Sequence, residues 1–194
     1  MIDLDRDFWQ QRYADGTTGW DLGAVSPPLQ AYFDQLTDKD LRILIPGGGR
    51  SYEAELLHKA GFRNVFVIDL TPAPFADLLA RCPDFPKDHL ITGDFFAHDG
   101  NYDVIVEQTF FCALDPVLRQ RYVEHMHQLL APGGKLIGVL FDDPLNDDHP
   151  PFGGNKDEYL RLFRPVFGEV LLERCHNSVP PRAGRELWLK AVKR

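Results

Sequence analysis

A glycine turn followed by an acid is the feature of this sequence that most clearly predicts chemistry. Pro46-Gly47-Gly48-Gly49 ends one apolar run, and Asp69 directly follows the next apolar run. Glycines let a ligand approach the backbone closely, and an acid about twenty residues beyond such a turn can accept hydrogen bonds from both hydroxyls of a ribose. The pattern predicts a nucleotide site, with a plain turn and an acid that only ends a strand as the alternative.

The flanking sequence contains the elements that would position these residues. The apolar runs 41–45 and 65–68 are typical of buried strands. Between them, residues 51–60 carry apolar side chains at helical spacing, with Ser51 as the expected N-cap and Gly61 as the C-terminal glycine. The N-terminus of a helix in this place would offer free N–H groups to a bound ligand.

Strands and helices alternate along the rest of the chain. Strands are expected at 89–92, 102–106 and 135–141, and helices at 5–14, at 156–163, after Ser26, after Thr71 and after Asp115. Segments 166–175 and 186–192 are expected to form a C-terminal antiparallel hairpin. This order predicts an α/β fold, a doubly wound and mostly parallel sheet, in one domain that covers residues 1–194.

Four residues are expected to meet at one edge of that sheet. Gly47, Asp69, Asp94 and Gln108 all follow or end a predicted strand, and ligands of such sheets bind at the carboxyl ends of the strands. A dinucleotide site would need a third glycine where Tyr52 stands, and the lysine of a P-loop is missing. S-adenosylmethionine needs only the turn and the ribose acid, and Asp94 could accept from its adenine amino group or simply cap a turn.

Three large aromatic residues flank a second glycine loop near the N-terminus. Trp9 and Tyr13 share one side of the expected first helix, and Trp20 follows the loop 15–19. Aromatic clusters usually pack onto a core, but this one could also form a lid over a ligand. Residues 1–36 are accordingly interpreted as an N-terminal helical lid region.

The composition and charge of the chain indicate which ligands and which compartment to expect. The net charge of −8 argues against a nucleic-acid ligand, and no apolar run approaches the length of a membrane span. The N-terminus does not read as a signal peptide, and the three widely spaced cysteines form no metal or redox motif, which indicates a reducing cytoplasm. The acidic loop 142–154 matches no calcium motif and is expected to be solvated, so no metal is predicted.

The whole chain resembles the thiopurine S-methyltransferase superfamily, and within it the plant-type thiol and halide methyltransferases. The resemblance rests on the spacing of the early aromatic residues, the glycine turn, Asp69 and several runs. These are Gly93-Asp94, 110–116 (FFCALDP), 130–134 (LAPGG), Pro150-Pro151-Phe152 and Val179-Pro180 with Arg182, Gly184 and Glu186. The tryptophan spacing and the FFCALDP run are specific, whereas the LAPGG run is common to many methyltransferases.

The resemblance implies a Rossmann-like class I methyltransferase that converts S-adenosyl-L-methionine to S-adenosyl-L-homocysteine. The cofactor-binding residues that it implies are Trp9, Tyr13, Trp20, Gly47, Gly49, Asp69, Leu70, Asp94, Phe95 and Gln108. The aromatic residues would cover the cofactor, Gly47 would line its methionine part, Asp69 would hold the ribose, and Asp94 and Phe95 would meet the adenine.

The acceptor would be a small molecule, methylated by in-line displacement in an apolar pocket that strips water from a soft nucleophile. Phe111, Phe141 and Phe152 are the expected pocket residues, with Phe110 as a further candidate, and no catalytic acid or base is assigned. Tyr13, Gln108 and Phe152 differ from the family pattern, which affects the acceptor more than the cofactor. Two other functions stay open: a catalytically silent cofactor-binding protein, and an NAD-dependent oxidoreductase on the same fold.

Overall fold

The structure is a computed structural model that describes residues 4–194. It contains seven strands and six α-helices, joined by loops and short 3₁₀ turns. The strands are β1 (Arg42–Pro46), β2 (Asn64–Asp69), β3 (Leu90–Thr92), β4 (Tyr102–Gln108), β5 (Leu130–Phe141), β6 (Glu169–Arg174) and β7 (Glu186–Val192). The helices are α1 (Arg6–Ala14), α2 (Pro27–Phe33), α3 (Tyr52–Lys59), α4 (Phe75–Arg81), α5 (Arg119–Leu129) and α6 (Lys156–Phe163).

All seven strands form one sheet in the order β3-β2-β1-β4-β5-β7-β6. Strands β1 to β5 run parallel, and β7 lies antiparallel between β5 and β6. The chain moves outward from β1 to β3 and then returns to β4 on the other side of β1. The topological switch point, where sheets of this type bind ligands, therefore lies between β1 and β4. The predicted mostly parallel sheet with a C-terminal hairpin is confirmed.

Helices cover both faces of the sheet. On one face, α5 and α6 bury Tyr122, Tyr159 and Phe163 against the strands. On the other face, α2, α3 and α4 bury apolar side chains that include Leu29 and Leu57. This arrangement leaves the carboxyl ends of the parallel strands free to position a site.

One local prediction was wrong in part. Ser51 occupies the N-cap position of α3 but does not cap the helix with its side chain, because its backbone is left-handed (φ 59°) and its hydroxyl donates instead to the Gly49 carbonyl at 3.2 Å. Helix α5 ends at Leu129, and residues 130–134 are extended and form the start of β5. The Gly133 amide donates to the Lys193 carbonyl at 2.9 Å, so this segment pairs with the chain after β7.

Only the first part of the range 1–36 lies near the carboxyl edge of the sheet. Helix α1 and the loop that follows it are there, whereas α2 packs into the core through Leu29 and Phe33. Residues 1–3 of that range lie outside the described residues. None of the helices within residues 4–194 has the length and apolar character needed to cross a bilayer.

Candidate functional site

A cavity of about 940 Å³ opens at the carboxyl ends of the parallel strands. Its volume is that of a site for a ligand of drug or cofactor size. Most of the residues that the sequence predicted as binding residues line it together. These are Trp9, Tyr13, Trp20, Gly47, Asp69, Leu70, Asp94, Phe95 and Phe141. The fold thus brings residues from α1, β1, β2, β5 and the segment after β3 to one place.

Asp69 is the acid at the wall of this cavity. It ends β2, its carbonyl accepts from the Gly93 amide at 2.9 Å, and its Oδ1 accepts from the Thr71 amide at 3.1 Å. Burial raises the pKa of the carboxyl to about 6, although the Thr71 and Leu70 amides lower it in part. No basic side chain among residues 4–194 forms an ion pair with it. The carboxylate therefore keeps acceptor capacity for a ligand.

The glycine turn is held against β2 and covered by aromatic rings. The Gly47 amide donates to the Ile68 carbonyl at 2.8 Å, and its φ of 56° is one that glycine adopts without strain. A Cβ at Gly47 would lie 2.3 Å from Cδ2 of Phe110, so the absence of a side chain lets that ring reach the turn. Gly49 does not line the cavity itself, because Trp20 and Tyr13 lie over it.

The early aromatic residues form one cluster over the cavity. The Trp20 ring meets Trp9 at 5.6 Å and Tyr13 at 5.7 Å between ring centroids, both edge to face. Two contacts attach the segment to the body of the protein. Asp21 pairs with Arg50 at 2.8 Å, and the Trp20 carbonyl accepts from Arg182 at 2.9 Å. The cluster lines the cavity from above the glycine turn, which is the position expected of a lid.

Asp94 and Phe95 line the cavity on the side of β3. The Asp94 carboxylate accepts from the Phe96 amide at 2.8 Å, so it caps a turn while it also faces the cavity. Phe95 is buried and packs edge to face against Phe110 at 5.2 Å. Both interpretations of Asp94 that the sequence allows are therefore compatible with its place.

Besides Gly49, three predicted residues do not line this cavity. Phe111 packs into the core against Tyr122, and its neighbour Phe110 lines the cavity instead, because the segment forms a 3₁₀ turn that directs the two rings differently. Phe152 lines a smaller and more polar cavity of about 400 Å³. Gln108 also lies outside the wall, and its Oε1 is buried without a hydrogen-bond partner among the described residues.

Glu107 is a buried acid directly behind the cavity wall. Its Oε1 accepts from the Phe110 and Phe111 amides at 2.8 and 2.9 Å, and its Oε2 accepts from the Tyr122 hydroxyl at 2.5 Å. Burial raises the pKa of this carboxyl to about 7. Only the fold shows that Glu107 fixes the backbone that carries Phe110.

Polar residues in the wall include four arginines that the sequence did not single out as binding residues: Arg12, Arg121, Arg182 and Arg185. Arg121, Arg182 and Arg185 come to the wall through contacts between distant parts of the chain, whereas Arg12 lies on α1 three residues after Trp9. Cys112 also lines the cavity, and burial raises the pKa of its thiol to about 12. A thiol with this pKa stays protonated at neutral pH, which argues against a role as nucleophile. Two aspartates of the acidic loop, Asp142 and Asp143, pair with arginines.

Comparison with known sequences identifies similar proteins. A family model described as Thiopurine S-methyltransferase (TPMT) matches residues 4–190. Probable thiol methyltransferase 2 of Arabidopsis thaliana is 27% identical over 184 residues, which is 92% of this chain and 81% of that protein. Thiopurine S-methyltransferase of Photobacterium profundum is 28% identical over 220 residues, which is 97% of this chain and 100% of that protein.

Solved structures share the fold. The 1,6-didemethyltoxoflavin-N1-methyltransferase of Burkholderia thailandensis, crystallised with its substrate and S-adenosylhomocysteine, superimposes with a TM-score of 0.72 at 20% identity, over 97% of this chain and 86% of that chain. A TehB-like SAM-dependent methyltransferase from Corynebacterium glutamicum gives a TM-score of 0.64 at 18% identity, over 97% of both chains. The sheet and its helices are therefore those of known S-adenosylmethionine-dependent enzymes.

Proposed function

The chain belongs to the thiopurine S-methyltransferase family, and from this premise we propose that it methylates a small, soft nucleophile with S-adenosylmethionine as the methyl donor. Thiols and halides are the first candidate acceptors, and thiopurine-like rings are the second. The observation that carries the proposal is a cavity at the carboxyl ends of the strands, whose wall contains the Asp69 carboxyl, unpaired within residues 4–194, together with apolar side chains.

The residues present fit this cofactor. The Asp69 carboxylate has spare acceptor capacity for the two ribose hydroxyls, and Asp94 and Phe95 lie where the adenine would be bound. Gly47 lines the cavity where the methionine part would bind, with the Phe110 ring packed against it, and Trp9, Tyr13 and Trp20 cover the site. When bound, S-adenosylmethionine supplies a methyl group activated by its sulfonium.

Part of the cavity wall is apolar. This part includes Phe141, Leu145, Pro150, Pro151 and Pro181, and the Arg182 guanidinium lies 5.3 Å over the Phe141 ring. Such walls hold few waters, and they favour a nucleophile that loses its hydration shell easily, as a thiolate or a heavy halide does. No histidine, lysine or glutamate is among the wall residues within 4–194, so the chain offers few groups that could act as a general base. A soft nucleophile that enters the cavity as an anion needs no general base.

The pH dependence of cofactor binding is a first prediction. Below a pH of about 6 the Asp69 carboxyl is protonated in the free protein, and a neutral acid is a weaker acceptor for ribose hydroxyls. Affinity for S-adenosylhomocysteine is expected to fall roughly tenfold between about pH 8 and about pH 5, measured by isothermal titration. The Asp69→Asn variant is the control, and its affinity is expected to be independent of pH. Equal affinity of the wild type at both pH values would contradict the assignment of Asp69.

The test of function is a panel of acceptors. S-adenosylhomocysteine formation is measured with methanethiol, iodide and 6-mercaptopurine, and with an alcohol and an amine of similar size. The proposal expects turnover with at least one sulfur or halide acceptor and none with the alcohol or amine. Binding of S-adenosylhomocysteine without any turnover would favour a silent cofactor-binding protein. Binding of NAD instead would favour an oxidoreductase.

The proposed compartment is the cytoplasm, and the proposed partner is a small molecule only. The three cysteines are free and buried, which fits a reducing environment. The net charge of −8 makes nucleic acid an improbable ligand.

A further inference from the structure

The four arginines of the cavity wall differ in how they are neutralised. Arg185 forms an ion pair with Asp143, and Arg182 lies 3.4 Å from the Glu186 carboxylate while it donates to the Trp20 carbonyl. Arg12 and Arg121 have no carboxylate within 4.0 Å among residues 4–194. Two positive charges therefore face the cavity without a partner from the described part of the chain.

Only one of these two has a buried guanidinium nitrogen without a partner among the described residues. Arg121 is exposed and stacks on the Phe96 ring at 4.5 Å, so water can solvate it. The Nε of Arg12, in contrast, is buried and has no hydrogen-bond partner. Its guanidinium lies 5.9 Å from the ring centroids of both Phe8 and Trp20. A buried donor without an acceptor is costly, which indicates that a ligand supplies the acceptor.

The place of Arg12 narrows the choice of ligand group. The Arg12 guanidinium lies 5.9 Å from the centroid of the Trp20 ring. Trp20 in turn covers the glycine turn, because its Nε1 would lie 3.4 Å from a Cβ added to Gly49. The cation therefore lies on the side of the glycine turn, where the methionine part of the cofactor is proposed to bind. A guanidinium prefers a carboxylate, which it can bind through two parallel hydrogen bonds.

We propose that Arg12 is the counter-ion of a carboxylate bound in the cavity, and that this group is the α-carboxylate of S-adenosylmethionine. The inference rests on the proposed function, because it takes the cofactor as given. A carboxylate on the acceptor is the other source of the same chemistry, and the experiment separates the two.

The test compares two ligands that differ in the amino-acid portion. S-adenosylhomocysteine carries the α-carboxylate, and 5′-methylthioadenosine does not. Arg12→Gln is expected to weaken the affinity for S-adenosylhomocysteine by about 10- to 100-fold and to leave the affinity for 5′-methylthioadenosine unchanged, both measured by isothermal titration. Arg12→Lys is expected to recover part of the loss. Arg6→Gln removes the same charge from an exposed position of α1 and is the matched control, with both affinities unchanged.

Each other result has a defined meaning. If S-adenosylhomocysteine binding is unchanged but Arg12→Gln raises the KM for mercaptoacetate and not for 2-mercaptoethanol, the carboxylate belongs to the acceptor and the cofactor assignment is overturned. If Arg12→Gln weakened the binding of both adenosyl ligands equally, Arg12 would only support the lid. If the substitution changed the result of none of the assays, the proposal would be overturned entirely. Failure of the wild type to bind either ligand would instead contradict the proposed function.

Discussion

Replacing Asp69 with alanine is expected to weaken S-adenosylhomocysteine binding by about 100-fold or more. The carboxylate lies at the cavity wall and has no ion-pair partner among residues 4–194, so its free acceptor capacity is available to the ribose hydroxyls. Hydrogen bonds to a charged acceptor contribute about 1.5–3 kcal/mol each, and two of them account for this loss. Isothermal titration at about pH 8, where the acid is ionised, gives the measurement.

The same substitution is expected to spare the fold. Burial raises the pKa of Asp69 from 3.8 to about 6, so its charge costs the folded state on the order of 3 kcal/mol at neutral pH. Asp69→Asn removes that cost and is expected to leave the free energy of unfolding unchanged or higher while binding of S-adenosylhomocysteine is weakened. Asp88→Asn, at an exposed position, is the matched control for charge. Retained affinity in Asp69→Ala would show that the ribose is bound elsewhere.

Replacing Glu107 with alanine is expected to destabilise the protein by about 3–5 kcal/mol. The substitution leaves the Phe110 amide, the Phe111 amide and the Tyr122 hydroxyl without their shared acceptor in the core. Chemical denaturation measures the change in the free energy of unfolding. Glu124→Ala removes an exposed acid from α5 and is expected to cost less than about 0.5 kcal/mol. A loss for Glu107→Ala as small as that of the control would contradict this account of the buried acid.

Glu107→Gln separates the charge from the hydrogen bonds. The folded state raises the pKa of Glu107 from 4.5 to about 7, so it holds the proton more tightly than the unfolded chain. The stability from that proton is complete below about pH 4.5 and is lost as the pH rises through about 7, on the order of 3 kcal/mol. Glutamine resembles the protonated acid, because its oxygen can accept from both amides. The variant is expected to be at least as stable as the wild type at about pH 8 and to lack this part of the pH dependence.

The sheet and the acid at its edge could be predicted because their signals are local. Short apolar runs that alternate with helical spacing indicate a parallel sheet, and the turn 46–49 with Asp69 identifies the edge where a ligand binds. The signal for the C-terminal hairpin is also local, since the predicted strand 186–192 coincides with β7. Each of these patterns lies within a few consecutive residues, so it can be recognised without knowing which distant parts of the chain meet.

The composition of the cavity wall could not be predicted in the same way. Sequence shows two adjacent rings at 110–111, but only packing decides that Phe110 faces the cavity and Phe111 faces Tyr122. Phe152 is directed to the smaller cavity by its backbone, whose amide donates to the Cys112 carbonyl at 2.7 Å. The unpaired state of Arg12 depends on which acids the fold brings near it, and no spacing along the chain encodes that.

A crystal structure of the complex with S-adenosylhomocysteine would test the central claim most directly. The quantity to measure is the distance from the Asp69 carboxylate oxygens to the two ribose hydroxyl oxygens. The account predicts that both hydroxyls lie within hydrogen-bond distance, at about 2.5–3.0 Å, with the sulfur facing the apolar part of the cavity wall at Phe141. A ribose bound away from Asp69, or a ligand found outside this cavity, would contradict it.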